Sequence, residues 1–263
     1  MSRLADTFAR LKTAGKPGLV AYVTAGDPDA ATSEQILLAI ARSGADVIEV
    51  GVPFSDPLAD GPVIQRASER ALAAGMTLRG VLDLVRRLRM ATDTPIVLFT
   101  YANPVVRMDP DVFARTAAKA GVDGVLILDY PVEEAEPLRT PIMAAGLDPI
   151  FLISPTTTDE RIEKSNALGR GFLYLISRLG VTGMRDQLPV DIAALVARVR
   201  QHSTLPIALG FGISSPEHVR QACAVADAAV VGSALVNVIA EHGRSTDVAE
   251  RVSEYMRWLR NGS

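Results

Sequence analysis

Eight short apolar runs recur along this 263-residue chain, separated by stretches whose apolar residues repeat every three or four positions. The runs are "GLVAYVT" (18–24), "DVIEVGV" (46–52), "PIVLFTY" (95–101), "DGVLILD" (123–129), "DPIFLIS" (148–154), "GFLYLIS" (171–177), "PIALGFG" (206–212) and "AAVVGSA" (228–234). Continuous hydrophobicity over so few residues marks strands buried on both faces. The stretches between read as helices. "DAATSEQILLAIARSGA" stops at Gly44, and "DPDVFARTAAKAGV" opens on Asp109–Pro110 and stops at Gly121, as helix start and stop chemistry requires. Eight strands, each followed by a helix, suit an open doubly wound sheet or a closed (β/α)8 TIM barrel. The first strand ends in "VTAGDPD" rather than the G-x-G-x-x-G of a dinucleotide-binding sheet. A unit length of roughly 33 residues also suits a barrel. The expectation is an α/β fold, a (β/α)8 barrel, with residues 1–263 forming one domain. Its additions are an N-terminal helix, two helices between strands two and three (about 62–91) and an extended C-terminal helix containing "EYMRWLR".

Composition removes several classes of function. Formal net charge is −3 and no Lys/Arg block occurs, which argues against nucleic acid or an anionic membrane as partner. One cysteine, Cys223, precludes an internal disulfide, and a reducing cytoplasm is the expected location. The N-terminal "MSRLADTFARLKTAGKPG" reads as an amphipathic helix rather than a signal peptide. No apolar run reaches transmembrane length.

In a barrel, ligands bind at the C-terminal ends of the strands. That rule selects Glu49 near the end of strand two, Asp56 and Asp60 in the loop after it, Asp129 at the end of strand four and Tyr174 in strand six. Asp56 alone reads more readily as a turn former or helix cap. Glu49 lies among Val47, Ile48, Val50 and Val52, so it faces either the barrel interior or the helix layer. Burial there is costly unless it is paired, and a structural ion pair is the competing reading. Glycines cluster in the last three units, in "SRLGVTGMRDQ", "GFGISSPEH" and "VVGSALV". Each alone is a tight turn; together they suggest a phosphate or similar anion held by backbone N–H groups. Ser233 and Ser214 are candidate helix caps there. The four lysines (Lys12, Lys16, Lys119, Lys164) fall outside the strands, which disfavours a Schiff-base aldolase. The histidines His202, His218 and His242 lack ligand spacing, which disfavours a metal enzyme; they read as surface residues. Carboxylate acid–base chemistry on a small phosphorylated molecule remains.

"EVGVPFSDPLADGPVIQ", "YLISRLGVTG" and "GFGIS", with "GLVAYVTAGDP", "YANPV", "DGVLILDYPVEE" and "VVGSALV", together resemble the tryptophan synthase α subunit family along nearly the whole chain. The resemblance implies a carbon–carbon lyase: retro-aldol cleavage of indole-3-glycerol phosphate to indole and glyceraldehyde 3-phosphate, in tryptophan biosynthesis, with no cofactor and no metal in this chain. It implies Glu49 as proton carrier at indole C3 and the glycerol hydroxyl, and Asp60 as acceptor of the indole N–H. It places Tyr22, Phe99, Leu126, Leu152, Tyr174 and Phe211 in the ring and glycerol pocket, with Thr182 on a lid. Gly183, Gly212, Ile213, Gly232 and Ser233 match phosphate-binding positions. It further implies an α2β2 heterotetramer with a pyridoxal-phosphate β subunit that receives the indole. Loops carrying Asp56, Pro57, Asn103, Tyr130 and Pro131 would face that partner. Tyr22 departs from the more usual Phe, and Val63 from the Thr expected after "DGP"; neither departure is expected to touch the proton chemistry. The alternatives are another phosphate-binding barrel of the same pathway, a stand-alone indole-releasing lyase, and a weakly catalytic stimulatory subunit.

Overall fold

Each apolar run supplies one strand. The computed structural model describes residues 2–176, 192–210 and 212–262. Its strands in chain order are β1 (Gly18–Thr24), β2 (Val47–Gly51), β3 (Ile96–Thr100), β4 (Gly124–Ile127), β5 (Asp148–Ile153), β6 (Leu173–Ile176), β7 (Ile207–Gly210) and β8 (Ala228–Val231). All neighbours are parallel, and β8 returns to pair with β1 (Gly18 opposite Ala228), closing the barrel.

Side chains along each strand alternate between two separate apolar clusters. Val20, Val47, Val97, Leu126, Ile150, Phe172, Ala208, Ala228 and Val230 fill the interior. Leu19, Ala21, Ile48, Val50, Ile96, Leu98, Val125, Leu173, Leu175 and Leu209 pack outward under the helices. That two-residue period, with both faces dry, is why the sequence shows unbroken hydrophobic runs.

Helix α1 (Arg3–Thr13) plugs the N-terminal end of the barrel with Leu4, Phe8 and Leu11, and Phe8 lies 5.5 Å from Phe172 between ring centroids. The outer layer follows in order: α2 (Ala30–Arg42), α3 (Pro62–Ala73), α4 (Leu78–Arg89), α5 (Ala102–Met108), α6 (Pro110–Ala120), α7 (Glu136–Ala144), α8 (Asp159–Leu168), α9 (Ile192–His202), α10 (Pro216–Cys223), α11 (Ser233–His242) and α12 (Val248–Asn261). The two helices anticipated after strand two are α3 and α4, and the C-terminal extension is α12, which packs against α2, α10 and α11. The expected ends of α6 are present: the Asp109 carboxylate accepts from the N–H groups of Asp111 and Val112, and Gly121 takes the left-handed conformation at φ 92°.

Helix α5 departs from expectation. The family resemblance puts Asn103 on a loop, yet it lies in the first turn of a helix. Pro104 also sits in that turn, where its missing N–H breaks no helical hydrogen bond. Asp129 lies two residues beyond β4 rather than ending it; its carboxylate accepts from the Ala102 N–H at 2.7 Å.

Three aspartates that directly precede strands seal the lower rim. Asp46 accepts from the Leu19 N–H (3.0 Å), Asp123 from Ile96 (2.8 Å) and Asp227 from Ile207 (2.8 Å). Each bridges to the strand before its own, and each meets an arginine: Arg260, Arg89 and Arg200 respectively. Asp123 is the most enclosed of these pairs, with Arg3 as a second partner at 2.9 Å. Asp123→Ala leaves the Ile96 N–H and the Arg89 guanidinium buried without it, so roughly 3 kcal/mol of stability should be lost. Urea unfolding should show a lower midpoint at unchanged slope; an unmoved midpoint would show that the rim does not depend on this carboxylate.

Candidate active site

The period-two alternation settles which way Glu49 points. Val47 on the same strand belongs to the interior cluster, whereas Ile48 and Val50 pack outward. Glu49 therefore faces the barrel interior, in register with Tyr22 on β1 and Val97 on β3. It is fully buried. Neither carboxyl oxygen has a hydrogen-bond partner among the described residues, so the ion-pair reading fails there. Burial pushes its pKa up to about 8, because a dry site disfavours the charged form.

Aromatic side chains surround this carboxyl. Tyr22 meets Phe99 edge-on at 5.0 Å, and Phe99 stands 6.1 Å from Tyr174. Burial raises the phenol pKa of Tyr174 well above the usual value, and the Glu49 charge adds to the effect. Two glycines make the rings fit. A Cβ at Gly51 would lie 2.3 Å from the Tyr22 hydroxyl, and one at Gly210 would lie 2.9 Å from that of Tyr174. Leu126 is buried in the interior cluster below. Leu152 is half-buried and lines a cleft of about 290 Å³ with Asp129, Tyr130, Pro131 and Arg161.

Asp60 reaches the site from the loop between β2 and α3, one residue before the helix N-cap Gly61. It is 7% exposed. Its Oδ2 accepts a hydrogen bond from the Tyr101 hydroxyl at 2.9 Å, while the Ala59 N–H donates to that same hydroxyl at 3.1 Å. The Gln65 side-chain amide, on the first turns of α3, donates to the main-chain oxygens of Asp60 (2.9 Å) and Pro57 (3.4 Å). Tyr101 and Gln65 thus hold the loop from two sides. Burial pushes the Asp60 pKa up to about 6, and the Tyr101 hydrogen bond opposes that rise. Tyr101 and Gln65 are absent from the sequence reading. Tyr101 had a usable signal, since it directly follows β3 on the ligand-binding end of the barrel. Gln65 had none, because its partners are main-chain atoms.

The glycine-rich half is partly in view. Gly212 adopts a positive φ of 86°. The Ile213 side chain packs into the outer cluster, leaving only main chain to serve a ligand. Gly232, rather than Ser233, is the N-cap of α11, and no side chain caps that helix. Ser233 is the first helical residue and is buried; the free first-turn N–H groups form an anion-attracting end. A Cβ on Gly232 would sit 3.6 Å from Cβ of Tyr22, so this end borders the aromatic pocket. The cap of α10 is Ser215, not Ser214; the Ser214 N–H instead donates to His218 Nδ1 at 3.3 Å. His218 is buried rather than a surface residue, because it turns back onto that loop. Thr182, Gly183 and Phe211 lie outside the described residues. Asp56, Asn103 and Pro131 are exposed and Pro57 half-exposed; the Ser55 hydroxyl donates to the Asp56 carboxylate. Among the described residues no group of three or more His, Cys, Asp or Glu could hold a metal ion, and no helix is long and apolar enough to cross a membrane.

Linkage gives the buried carboxyl a signature in stability. Between about pH 4.5 and 8 the unfolded chain has lost the Glu49 proton and the folded chain keeps it. Stability therefore falls as pH rises through that window, by up to roughly 1.4 kcal/mol per unit. Glu49→Gln abolishes this titration. Relative to wild type, the variant should gain about 2 kcal/mol between pH 5 and pH 7 in urea unfolding. An unchanged difference would mean that Glu49 ionises at an ordinary carboxyl pKa.

Comparison with known proteins agrees with this fold. The family profile described as tryptophan synthase alpha chain matches residues 8–262. A tryptophan synthase alpha chain of Burkholderia thailandensis is 48% identical over 261 residues, covering 99% of this chain and 96% of the relative. The crystal structure of tryptophan synthase subunit alpha from Legionella pneumophila superposes with a TM-score of 0.92 at 39% identity, covering 99% of this chain and 97% of that one. A structure of Mycobacterium tuberculosis tryptophan synthase gives 0.90 at 37% identity, covering 98% and 96%. The chain belongs to the tryptophan synthase α chain family.

Proposed function

We propose that Glu49 and Asp60 divide the proton chemistry of this lyase family's reaction, the cleavage of indole-3-glycerol phosphate to indole and glyceraldehyde 3-phosphate in tryptophan biosynthesis. The observation that carries the assignment is the fully buried Glu49 carboxyl, which faces the barrel interior with no partner among the described residues. At pH 7 it holds its proton, while Asp60, at about 6, has lost its own. Paired carboxyls whose environments push their pKa values apart take opposite roles.

The Glu49 carboxyl gives its proton to indole C3. The ring becomes an indolenine cation whose N–H points at the Asp60 carboxylate, a charge fixed where positive charge develops. The hydroxyl carbon of the glycerol chain then loses its bond to C3. That electron pair returns to the ring, the hydroxyl proton passes to the Glu49 carboxylate, and an aldehyde leaves. Glu49 ends protonated, ready for another cycle. Tyr22, Phe99, Leu126, Leu152 and Tyr174 enclose the ring and glycerol chain; the family resemblance adds Phe211 to this pocket and gives Thr182 the part of a lid residue. Main-chain groups at Gly212, Ile213, Gly232 and Ser233 hold the phosphate, and the family resemblance adds Gly183 to them.

Membership of an α chain family implies a β-chain partner. The finer reading is an α2β2 assembly in the cytoplasm whose β chain carries pyridoxal phosphate and takes up the indole. Asp56, Pro57, Asn103 and Pro131 would face it. Leu58, 94% exposed beside Asp56–Pro57, and Val106, 56% exposed on α5, support that surface as one awaiting cover. Residues 1–263 act as one folding unit on this reading, supported by the β1–β8 closure and by α12 packing on α2.

The direct test mixes the purified chain with indole-3-glycerol phosphate, alone and with a β chain, and follows indole. A bell-shaped kcat/KM profile with limbs near pH 6 and pH 8 is expected. Glu49→Gln should lower kcat by about 10³-fold or more with substrate affinity nearly kept; a variant within about threefold of wild type would remove Glu49 as proton carrier. Gly232→Asp puts a negative side chain at the bare N-terminus of α11 and should weaken glycerol phosphate binding; unchanged affinity would place the phosphate elsewhere.

A further inference from the structure

Tyr22 carries a hydroxyl that the ring contacts do not need. Its edge-on packing against Phe99 and its place beside Val236 and Ile64 are contacts that a phenylalanine would make equally well. The hydroxyl nevertheless has room built for it, since no side chain at all is tolerated at Gly51, where a Cβ would stand 2.3 Å away. Gly51 is two residues above Glu49 on the same face of β2, so the hydroxyl projects out of the Glu49 layer toward the loop that carries Asp60.

At that position its hydrogen bonding is incomplete. Among the described residues its partner is Thr24 Oγ1 at 3.4 Å, long for an O–H···O bond. Buried phenols ordinarily find a better acceptor. Asp60 offers one: its Oδ2 is taken by Tyr101, and no hydrogen bond from the described residues reaches Oδ1. Of the two carboxylate charges acting on the Tyr22 phenol, Asp60 acts more strongly than Glu49.

Resting on the role given to Asp60 above, we propose that the Tyr22 hydroxyl is a second phenolic donor to Asp60, joining Tyr101 once the ring pocket fills. A buried carboxylate that must stay charged to receive an N–H and offset a ring cation is held ionised by donors. Two phenols keep it charged and aimed, and the family's more usual phenylalanine at this position would leave one. Tyr22 is then a positioning residue, acting on substrate through Asp60. Among the described residues, the titratable groups that feel the Asp60 charge are Tyr22 from β1, Tyr101 ahead of α5 and Tyr174 from β6; Glu49 acts on Tyr22 and Tyr174, and Asp129 on Tyr101.

The test is the acidic limb of kcat, which reports the substrate-bound enzyme, in Tyr22→Phe, Tyr101→Phe and the double variant, with Asp60→Asn alongside. Losing a donor raises the Asp60 pKa, so Tyr22→Phe should move the limb upward by about half a pH unit, roughly threefold in proton affinity. The double variant should move it further than either single one. The dissociation constant for glycerol 3-phosphate should stay at the wild-type value in Tyr22→Phe, which separates lost donation from a reshaped pocket. A limb unmoved in Tyr22→Phe, or moved together with glycerol 3-phosphate affinity, overturns the proposal. Full turnover by Asp60→Asn would instead sink the role of Asp60 itself.

Discussion

A carboxyl group without a partner among the described residues, held in the dry interior of a closed sheet, is the constraint on which the rest of the site depends. Isolated carboxylates are not stable in such surroundings; the group keeps its proton instead. That one fact assigns Glu49 its state at neutral pH. It requires the barrel to close around it, since an open sheet would admit water and return the pKa toward its ordinary value. It also shapes the neighbours. Tyr22, Phe99 and Tyr174 supply the apolar wall, and Gly51 and Gly210 stay bare so that two phenol rings can lie against the strands.

The two carboxyls are mounted differently. Glu49 stands on the middle of a strand paired on both sides, a rigid support for a group that must deliver a proton to one ring carbon. Asp60 stands on a loop tied by the Tyr101 hydroxyl and the Gln65 amide, with Pro53, Pro57 and Pro62 limiting its conformations. A few hydrogen bonds hold that mounting, and two of its anchors reach out to surface elements. The Tyr101 anchor leads directly into α5, which carries Asn103, so any partner pressing on α5 also presses on the support of Asp60.

Much of this was legible in the residues. The eight strands follow from hydrophobic runs that both faces of a barrel strand demand, and the α6 boundaries follow from Asp109–Pro110 and Gly121. The side on which Glu49 lies was not legible, because Val47, Ile48 and Val50 are equally apolar and a strand buried on both faces leaves no pattern to separate in from out. Helix α5 was not anticipated: the family resemblance put Asn103 on a loop, and seven helical residues are too few to show a periodic pattern. Both serine caps were displaced by one position: Gly232 and Ser215 occupy the N-caps, a choice set by the main-chain path of the preceding loop. His218 looked like a surface residue because one inward histidine on a short helix leaves no periodic signal. Tyr101 and Gln65 escaped because their partners are distant in sequence or belong to the main chain.

The central claim is that Glu49 is a neutral carboxylic acid at neutral pH. Isotope-edited infrared spectroscopy, comparing wild type with Glu49→Gln across pH 5 to 9, reads that state directly. A protonated carboxyl band lost in the variant, persisting at pH 7 and disappearing with a midpoint near 8, is the expected result. A Glu49 band already in the carboxylate form at pH 6 would contradict the account.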